Sequence, residues 1–488
     1  MPLSHARTKI LATLGPATDA PGRIEALLRA GVNVVRLNFS HGTPEQHAAR
    51  ITAVREAAQV IGREVGVLAD LQGPKIRVER FAKGRVTLAA GQSFDLVCRA
   101  DAPAGDAAAV GVSYLGLPGD VVQGDTLLLD DGLIALKVTA VEGDTIRTRV
   151  LTDGVLSDRK GLNRLGGGLS LGALTDKDRA DIATAVELGV DFLAVSFCRS
   201  AQDIDDTRAL AAEAGGSPHL VAKIERAEAI DNLESIVDAS DAVMVARGDL
   251  GVEIGDAELP GLQKKIIRVA LERQRVVITA TQMLQSMVEN PIPTRAEVLD
   301  VANAVIDGTD AVMLSAETAS GQHPVAAVEA MRRICEGAER QFDHDTDFEA
   351  AQRGLQRSDQ AIAMAAMFLA EHIQVRAIIA LTESGGTARY LSRFRSSVPI
   401  YGLSRHAPAR RQMGLMRDVY PVDFDTRRLS ARDAARESVA ALYREGLLAE
   451  GDRVIFTSGD TMEARGATNT LRLLEVGPGG VAAGLGVL

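Results

Sequence analysis

The chain has no tryptophan, and aromatic residues make up only 3% of it. So few flat apolar rings argue against a surface that stacks nucleic-acid bases. Cysteine is scarce as well. Cys98, Cys198 and Cys335 lie far apart and share no metal-ligand spacing. They read as idle thiols of a reducing compartment, not as a disulfide framework or a zinc site. No apolar run reaches bilayer length, and the first residues lack the apolar core of a secretion signal. These absences predict no membrane association and a cytoplasmic protein. Positive charge is not in excess either. A formal net charge of −11 argues against a general polyanion-binding surface, so no nucleic-acid partner is expected. A small anionic substrate stays compatible with that charge, because the field of a site is local. Finally, no Walker A sequence, no protein-kinase motif set and no glycine-rich dinucleotide fingerprint occurs. Any nucleotide must be held in another way.

What the chain does contain is ordinary material for large buried cores: 46% hydrophobic and 24% charged residues over 488 positions. That length predicts about three domains. A strand–helix alternation opens the chain, with strands expected at 8–15, 32–39 and 65–72. The rhythm then breaks. From Gly73 to about Ser157 come short strand-like segments, such as Thr126–Leu129 and the alternating Thr145–Val150. Turns such as Asp131-Gly132 separate them, which is the pattern of an all-β insert. After Gly166-Gly167-Gly168 the alternation resumes, with strands expected at 191–197, 219–225, 242–249, 276–283 and 311–318. Thr175 with Asp178, and Thr294 with Glu297, have the spacing of capping boxes that start helices. Three strands before the insert and five after it make eight. Eight βα units spaced by roughly 25–35 residues predict an α/β fold built on a (β/α)8 TIM barrel. A doubly wound sheet is the runner-up, disfavoured by the missing dinucleotide fingerprint. The period restarts after a polar linker around 341–357, with strands expected at 376–381, 398–403, 419–422 and 453–457. The expected division is a barrel at 1–72 and 159–341, an inserted small β-barrel lid at 73–158, and a C-terminal α/β regulatory domain at 342–488.

The strand ends carry the chemistry. Lys223 and Glu225 are two apart and so share a face of their strand. Taken alone they read equally well as a salt bridge closing the sheet. Yet Arg36, Asn38, Asp70, Ser196, Asp249, Thr279, Thr281, Ser315 and Glu317 also stand at strand ends, with Arg77 just beyond the third. In a barrel of this kind the C-terminal strand ends form the active-site rim. Glu225 and Asp249 offer hard oxygens to Mg2+, which keeps its other positions for water and substrate. Lys223, Arg36 and Arg77 suit phosphate or carboxylate. Together they are equipment for phosphoryl transfer by positioning and charge neutralisation.

These residues fall in motifs that resemble one family closely, the pyruvate kinases. Thr8-Lys9-Ile10 through Thr18, Val34 through Gly42, Gly73-Pro74-Lys75-Ile76-Arg77, Lys223-Ile224-Glu225, Met244 through Gly251, Ala280 through Met283 and Pro293 through Val298 carry the match. The resemblance covers the barrel and insert, and more loosely the C-terminal part. It implies a phosphotransferase of glycolysis that moves the phosphoryl group of phosphoenolpyruvate to ADP, giving pyruvate and ATP. It further implies Mg2+ or Mn2+ held by Glu225 and Asp249. The backbone of Ala246, Arg247 and Gly248 would face the substrate carboxylate, with Arg77 also on the substrate. Lys223 would neutralise the phosphoryl group and the enolate, Arg36 would contact the phosphoryl group, and Thr281 would be tied to enolate protonation. Asn38, His41 and Lys160 fall at nucleotide contacts. A homotetramer is implied by the resemblance alone.

Many family members carry Glu where this chain has Lys75 and Thr where it has Leu71, and hold K+ with Asn38, Ser40 and Asp70. A lysine ammonium supplies a fixed charge in place of that ion. The expectation is a bacterial-type enzyme that does not require K+. The insert, bracketed by Gly73-Pro74 and Gly166–Gly168, reads as a lid that excludes water. Thr382-Glu383-Ser384-Gly385-Gly386-Thr387, between a strand and a helix, resembles the family's effector loop. Glu383 and Gly386 stand where members activated by fructose 1,6-bisphosphate often carry basic residues. A sugar monophosphate or nucleotide monophosphate is the expected effector. Two other functions share some of these features: a Mg2+-dependent lyase or aldolase acting on pyruvate-like enolates, and a catalytically silent sugar-phosphate-binding regulator. The nucleotide-side residues argue against the first, and intact Lys223, Glu225, Asp249 and Thr281 against the second.

Overall fold

The computed structural model describes residues 6–341, 355, 357–394, 398–460 and 466–484. Most of the expected linker, 342–354 and 356, lies outside the described residues. The barrel strands are β1 Lys9–Thr13, β2 Val34–Asn38, β3 Gly66–Asp70, β4 Phe192–Val195, β5 His219–Ile224, β6 Ala242–Ala246, β7 Val276–Ala280 and β8 Ala311–Leu314. They close in the order β1-β8-β7-β6-β5-β4-β3-β2, every pair parallel. Parallel strands covered by helices outside and by each other inside are buried on both faces, which is why their sequences are nearly continuous apolar runs. The anticipated helix starts hold: the Thr175 hydroxyl accepts the Asp178 N–H at 3.1 Å and the Thr294 hydroxyl the Glu297 N–H at 3.3 Å. Among the described residues no helix is long and apolar enough to cross a membrane.

The insert is all-β, as its alternation predicts. Its larger sheet has six strands, in the order Leu162–Arg164, Thr126–Leu129, Ile134–Glu142, Thr145–Val150, Ser93–Val97 and Ala109–Gly111. A two-stranded sheet of Arg85–Leu88 and Gly154–Ser157 accompanies it. Leu162–Arg164 pairs with Thr126–Leu129, so the insert's sheet runs past the boundary expected at 158. Three residues are too few to show a period, which is why sequence reading ended the insert early.

The C-terminal domain is a six-stranded sheet in the order Val419–Asp423, Ile400–Ser404, Ala377–Leu381, Arg453–Gly459, Thr468–Val476 and Ala482–Ala483. The first four strands are parallel and the last two antiparallel. Those last two escaped the sequence analysis, because Thr468–Val476 is only half-buried along much of its length and alternates weakly.

This domain closes the barrel floor. The inward residues Leu11, Val34, Val221 and Met244 form one apolar cluster with Ile378, Leu391 and Met413 from the C-terminal domain. Ion pairs rim the joint: Arg411 Nε lies 2.6 Å from Asp191 Oδ1, and Arg393 Nη1 donates to Asp310 Oδ2 at 2.8 Å. Cys98, Cys198 and Cys335 are free and buried, and burial pushes the Cys98 thiol up to about 12, which keeps it unreactive.

Lys9 is the anomaly of the floor. It shares the inner face of β1 with Leu11, is 2% exposed, and lies over the Tyr420 ring with Nζ 4.3 Å from the centroid. Burial lowers its pKa from 10.5 to about 8, against the pull of Asp418. The folded protein therefore binds this proton less well than the unfolded chain. The cost is full below pH 8 and fades as pH rises toward 10.5. Lys9→Met is expected to raise stability by about 3 kcal/mol at pH 7, with the gain shrinking toward pH 10.5. Urea unfolding at both pH values checks this; a gain independent of pH would contradict it.

Candidate active site

The two-residue period of the strands decides which polar groups meet. Thr13 follows Leu11 on the inner face of β1, Asp70 follows Leu68 on β3, and Lys223 follows Val221 on β5. Each strand thus lays an apolar layer and then, one step higher, a polar one. Register completes the ring: Thr13 stands beside Arg36, and Lys223 beside Met244.

The centre is a chain of buried ions. Lys223 Nζ lies 2.8 Å from Glu225 Oε1 and 3.2 Å from Asp70 Oδ1, and donates to Ser196 Oγ at 2.6 Å. Asp70 Oδ2 accepts from Arg36 Nε at 2.6 Å, and Arg36 Nη1 donates to Thr13 Oγ1 at 3.1 Å. Glu225 Oε2 accepts the Phe197 N–H at 2.8 Å. Burial works against the charges of Lys223, Asp70 and Glu225. For Lys223 the Asp70 and Glu225 carboxylates outweigh it, so the ammonium is held well above its usual pKa. For Asp70, Lys223 and Arg36 likewise outweigh burial and keep the carboxylate ionised. For Glu225 burial prevails, aided by the neighbouring Asp249, and its pKa rises despite Lys223. Two carboxylates that repel each other this way suit a divalent cation. Glu225 and Asp249 are the residues that would hold Mg2+, which takes one or two carboxylates and leaves room for substrate oxygens. Among the described residues no cluster of three or more acidic, His or Cys groups offers a fuller cage.

Asp249 sits in the first turn of the helix Arg247–Ile254, directly after β6. Its Oδ1 is 2.9 Å from Lys75 Nζ. The Arg247 side chain turns away from the rim. It donates to the Thr281 carbonyl at 2.7 Å and pairs with Asp300 at 2.7 Å. Only the Arg247 backbone is left facing the site. Thr281 would follow Thr279 to the outer face of β7, but left-handed backbone at Thr281 (φ 70°) and Gln282 (φ 54°) swings it round. Its Oγ1 accepts the Gly248 N–H at 2.9 Å. A β-branched residue at positive φ is costly, and Arg247 clamps the turn that imposes it. Phe197 is a second such residue, at φ 55°.

Two strand-end residues expected on the rim are structural instead. Thr279 Oγ1 bonds Thr309 Oγ1 at 3.0 Å on the outer face. Glu317 caps backbone, accepting the Ser315 N–H at 2.7 Å and the Leu284 N–H at 3.1 Å. Conversely, Thr13 was passed over by the sequence reading, although its place two residues after Leu11 was a legible signal.

The remaining candidates sit apart from the ion chain. His41 is exposed, and its N–H meets the Asn38 carbonyl at 3.1 Å. Arg77 donates to the Arg159 carbonyl at 2.8 Å, and Lys160 pairs with Asp130 at 2.8 Å, both within the insert. Asn38 Oδ1 accepts the Ser40 N–H at 3.1 Å, and Leu71 is buried. In the C-terminal domain the Thr382–Thr387 loop is closed by its own contacts. The Gly385 N–H meets Thr382 Oγ1 at 3.0 Å, and Thr387 Oγ1 lies 2.6 Å from Thr468 Oγ1. Glu383 is 2.6 Å from His406 Nε2 and 3.4 Å from Arg405 Nη2. Gly386 opens the following helix, Gly386–Ser392, and Ser384 lines a cavity of about 530 Å³ together with Glu383 and His406.

The chain matches known proteins over nearly its whole length. Residues 5–328 match the family described as pyruvate kinase, barrel domain, and residues 360–474 match pyruvate kinase, alpha/beta domain. The chain is 53% identical over 477 residues to pyruvate kinase II of Salmonella typhimurium, covering 96% of this chain and 98% of that one. It is 48% identical to pyruvate kinase of Haemophilus influenzae, covering 95% and 97%. A solved pyruvate kinase from Cryptosporidium parvum superposes with a TM-score of 0.90 at 33% identity, covering 96% of each chain.

Proposed function

The chain belongs to the pyruvate kinase family and transfers the phosphoryl group of phosphoenolpyruvate to ADP, giving pyruvate and ATP; within that activity we propose specific roles for its own residues. The observation that carries them is the buried chain Arg36–Asp70–Lys223–Glu225 at the barrel's upper end. Lys223 is held as an ammonium, so it acts by charge and not as a base. It neutralises the transferring phosphoryl group and then the enolate left behind. Arg36, fixed by Asp70 and Thr13, contacts the phosphoryl group, with Arg77 on the substrate from the insert's hinge. Family members use Mg2+, and bound at Glu225 and Asp249 it would supply Lewis-acid neutralisation of phosphate oxygens. The backbone at Ala246, Arg247 and Gly248 receives the substrate carboxylate at a helix start. Thr281, held against Gly248, stands on the side from which the enolate carbon takes its proton. Asn38, His41 and Lys160 meet the nucleotide when the insert closes. The enzyme works in the cytoplasm as a homotetramer, with the domain division 1–72 with 159–341, 73–158 and 342–488 adjusted at Leu162–Arg164. The family match gives no support to a lyase, and intact Lys223, Glu225, Asp249 and Thr281 speak against a silent regulator.

In a coupled assay with phosphoenolpyruvate, ADP and Mg2+, the wild-type protein is expected to make pyruvate and ATP. Folded Lys223→Met should lose about a hundredfold to a thousandfold in rate, the size of loss when one preorganised stabilising group is removed. A variant with near wild-type turnover would refute the role given to Lys223.

We further propose that K+ is not required. Lys75 places an ammonium on Asp249, so charge comes from the chain itself. It stands beside that carboxylate and not among Asn38, Ser40 and Asp70, so it replaces the ion's charge rather than occupying its ligands. Activity in Mg2+ buffer free of Na+ and K+ is expected to equal that with K+ added. Activity that appears only with K+ sinks the proposal.

For regulation, the Thr382–Thr387 loop carries its own carboxylate, Glu383, already held by His406 and Arg405. An added bisphosphate meets that negative charge at close range. A sugar monophosphate or nucleotide monophosphate is the effector class favoured. Titration with ribose 5-phosphate, AMP and fructose 1,6-bisphosphate tests this, and a response to the last alone would overturn it.

A further inference from the structure

The helix Arg247–Ile254 that presents Asp249 carries Glu253 one turn further on, so the two carboxylates share a face. Glu253 is 2% exposed and takes no part in the site described above. Its Oε2 accepts the Ala227 N–H at 3.0 Å, and its Oε1 lies 4.0 Å from Arg226 Nε. Its backbone carbonyl accepts the Gly166 N–H at 2.8 Å, which is where the chain returns from the insert to the barrel. Arg226, directly after Glu225, is 3% exposed. It donates to the Leu169 carbonyl at 3.0 Å and reaches the Leu171 carbonyl at 3.5 Å, both on the same return crossing. Glu228 adds a grip on the Gly168 N–H at 2.6 Å. Pro74 and Ile76 of the outward crossing line a cavity of about 20 Å³ with Arg226, Glu253 and Leu169.

A buried arginine and a buried carboxyl, whose pKa burial raises to about 7, sit together at this hinge at a free-energy cost that the barrel core does not explain. Their partners supply the explanation. One helix holds both crossings of the insert: Asp249 pairs with Lys75 on the outward one, and Glu253 holds the return one directly and through Arg226. The pair is also loose. Arg226 Nε is buried without a hydrogen-bond partner, leaving 4.0 Å to be shortened.

We propose that Arg226 and Glu253 are positioning residues, a latch through which the helix that receives metal and substrate sets the angle of the lid. A shift at Asp249 is passed along one rigid turn to Glu253 and from there to the return crossing. This rests on the reading of the insert as a lid. A lid that fails to seat admits water. Water oxygen then attacks phosphorus in place of the ADP oxygen, and the phosphorus–oxygen bond to the enol breaks. The enolate takes its proton, so pyruvate and inorganic phosphate form without ATP.

The test uses the full-length enzyme and measures pyruvate and ATP separately in one reaction. The wild type is expected to release them one to one. Arg226→Met and Glu253→Gln should release pyruvate in excess and raise the KM for phosphoenolpyruvate about tenfold with a smaller change in kcat. Arg226→Lys, which keeps the charge opposite Glu253, should restore most of the stoichiometry. Folded variants with one-to-one products and an unchanged KM overturn the latch, as does a fall in kcat alone. If Glu253→Gln does not fold, the Arg226 pair of variants decides by the same ratio. X-ray scattering separates the two readings. A wild type that does not contract on adding phosphoenolpyruvate and Mg2+ refutes the lid itself, whereas contraction in the wild type with unchanged products in the variants refutes only the latch.

Discussion

Lys223 between Asp70 and Glu225 is the interaction on which the rest of the molecule depends. A lone ammonium at that depth would cost many kcal/mol or surrender its proton. Two carboxylates remove that cost, and each is itself held: Asp70 by Arg36, Glu225 by the Phe197 N–H. The groups come from β2, β3, β5 with the residue after it, and the loop after β4, so the ions meet only if the barrel closes in correct register. A slip of one residue on any of these strands would turn its charge to the outer face and leave the others buried and unpaired. Fold and site therefore constrain each other.

The other parts of the molecule serve that upper ring. The C-terminal domain seals the floor with apolar side chains continuous with the barrel interior, at the local cost of a desolvated Lys9. Strained backbone at Phe197 and Thr281 is held by Glu225 and Arg247 and re-aims groups that strand parity alone would misplace. Gly73, at φ 65°, lets the outward crossing pass where a Cβ would come within 2.7 Å of Phe197. The insert is thereby tied to the same residues that shape the site, and the helix carrying Asp249 grips both of its crossings.

Local pattern and tertiary geometry divided the work unevenly. Eight buried strands, the β insert and two capping boxes were legible because periodicity and capping are properties of short segments. Arg36, Asp70, Lys223, Glu225 and Asp249 stand out in the sequence as polar residues ending apolar strands, and the first four meet in one buried ion chain. Thr279 and Glu317 looked the same in sequence but are structural, because strand parity and backbone capping are settled only in the assembled barrel. Leu162–Arg164 and the last two strands of the C-terminal sheet were missed because short or half-buried strands carry little pattern.

The sequence by itself determined the fold, the family and the residue types at the rim, since these follow from period, burial and motif. Only the tertiary structure decided which charges pair. It set Lys75 on Asp249, Arg247 away from the rim, Thr281 against Gly248 and Arg226 beside Glu253. Pairing energy depends on distance and burial, and those exist only once segments far apart in the chain are brought together.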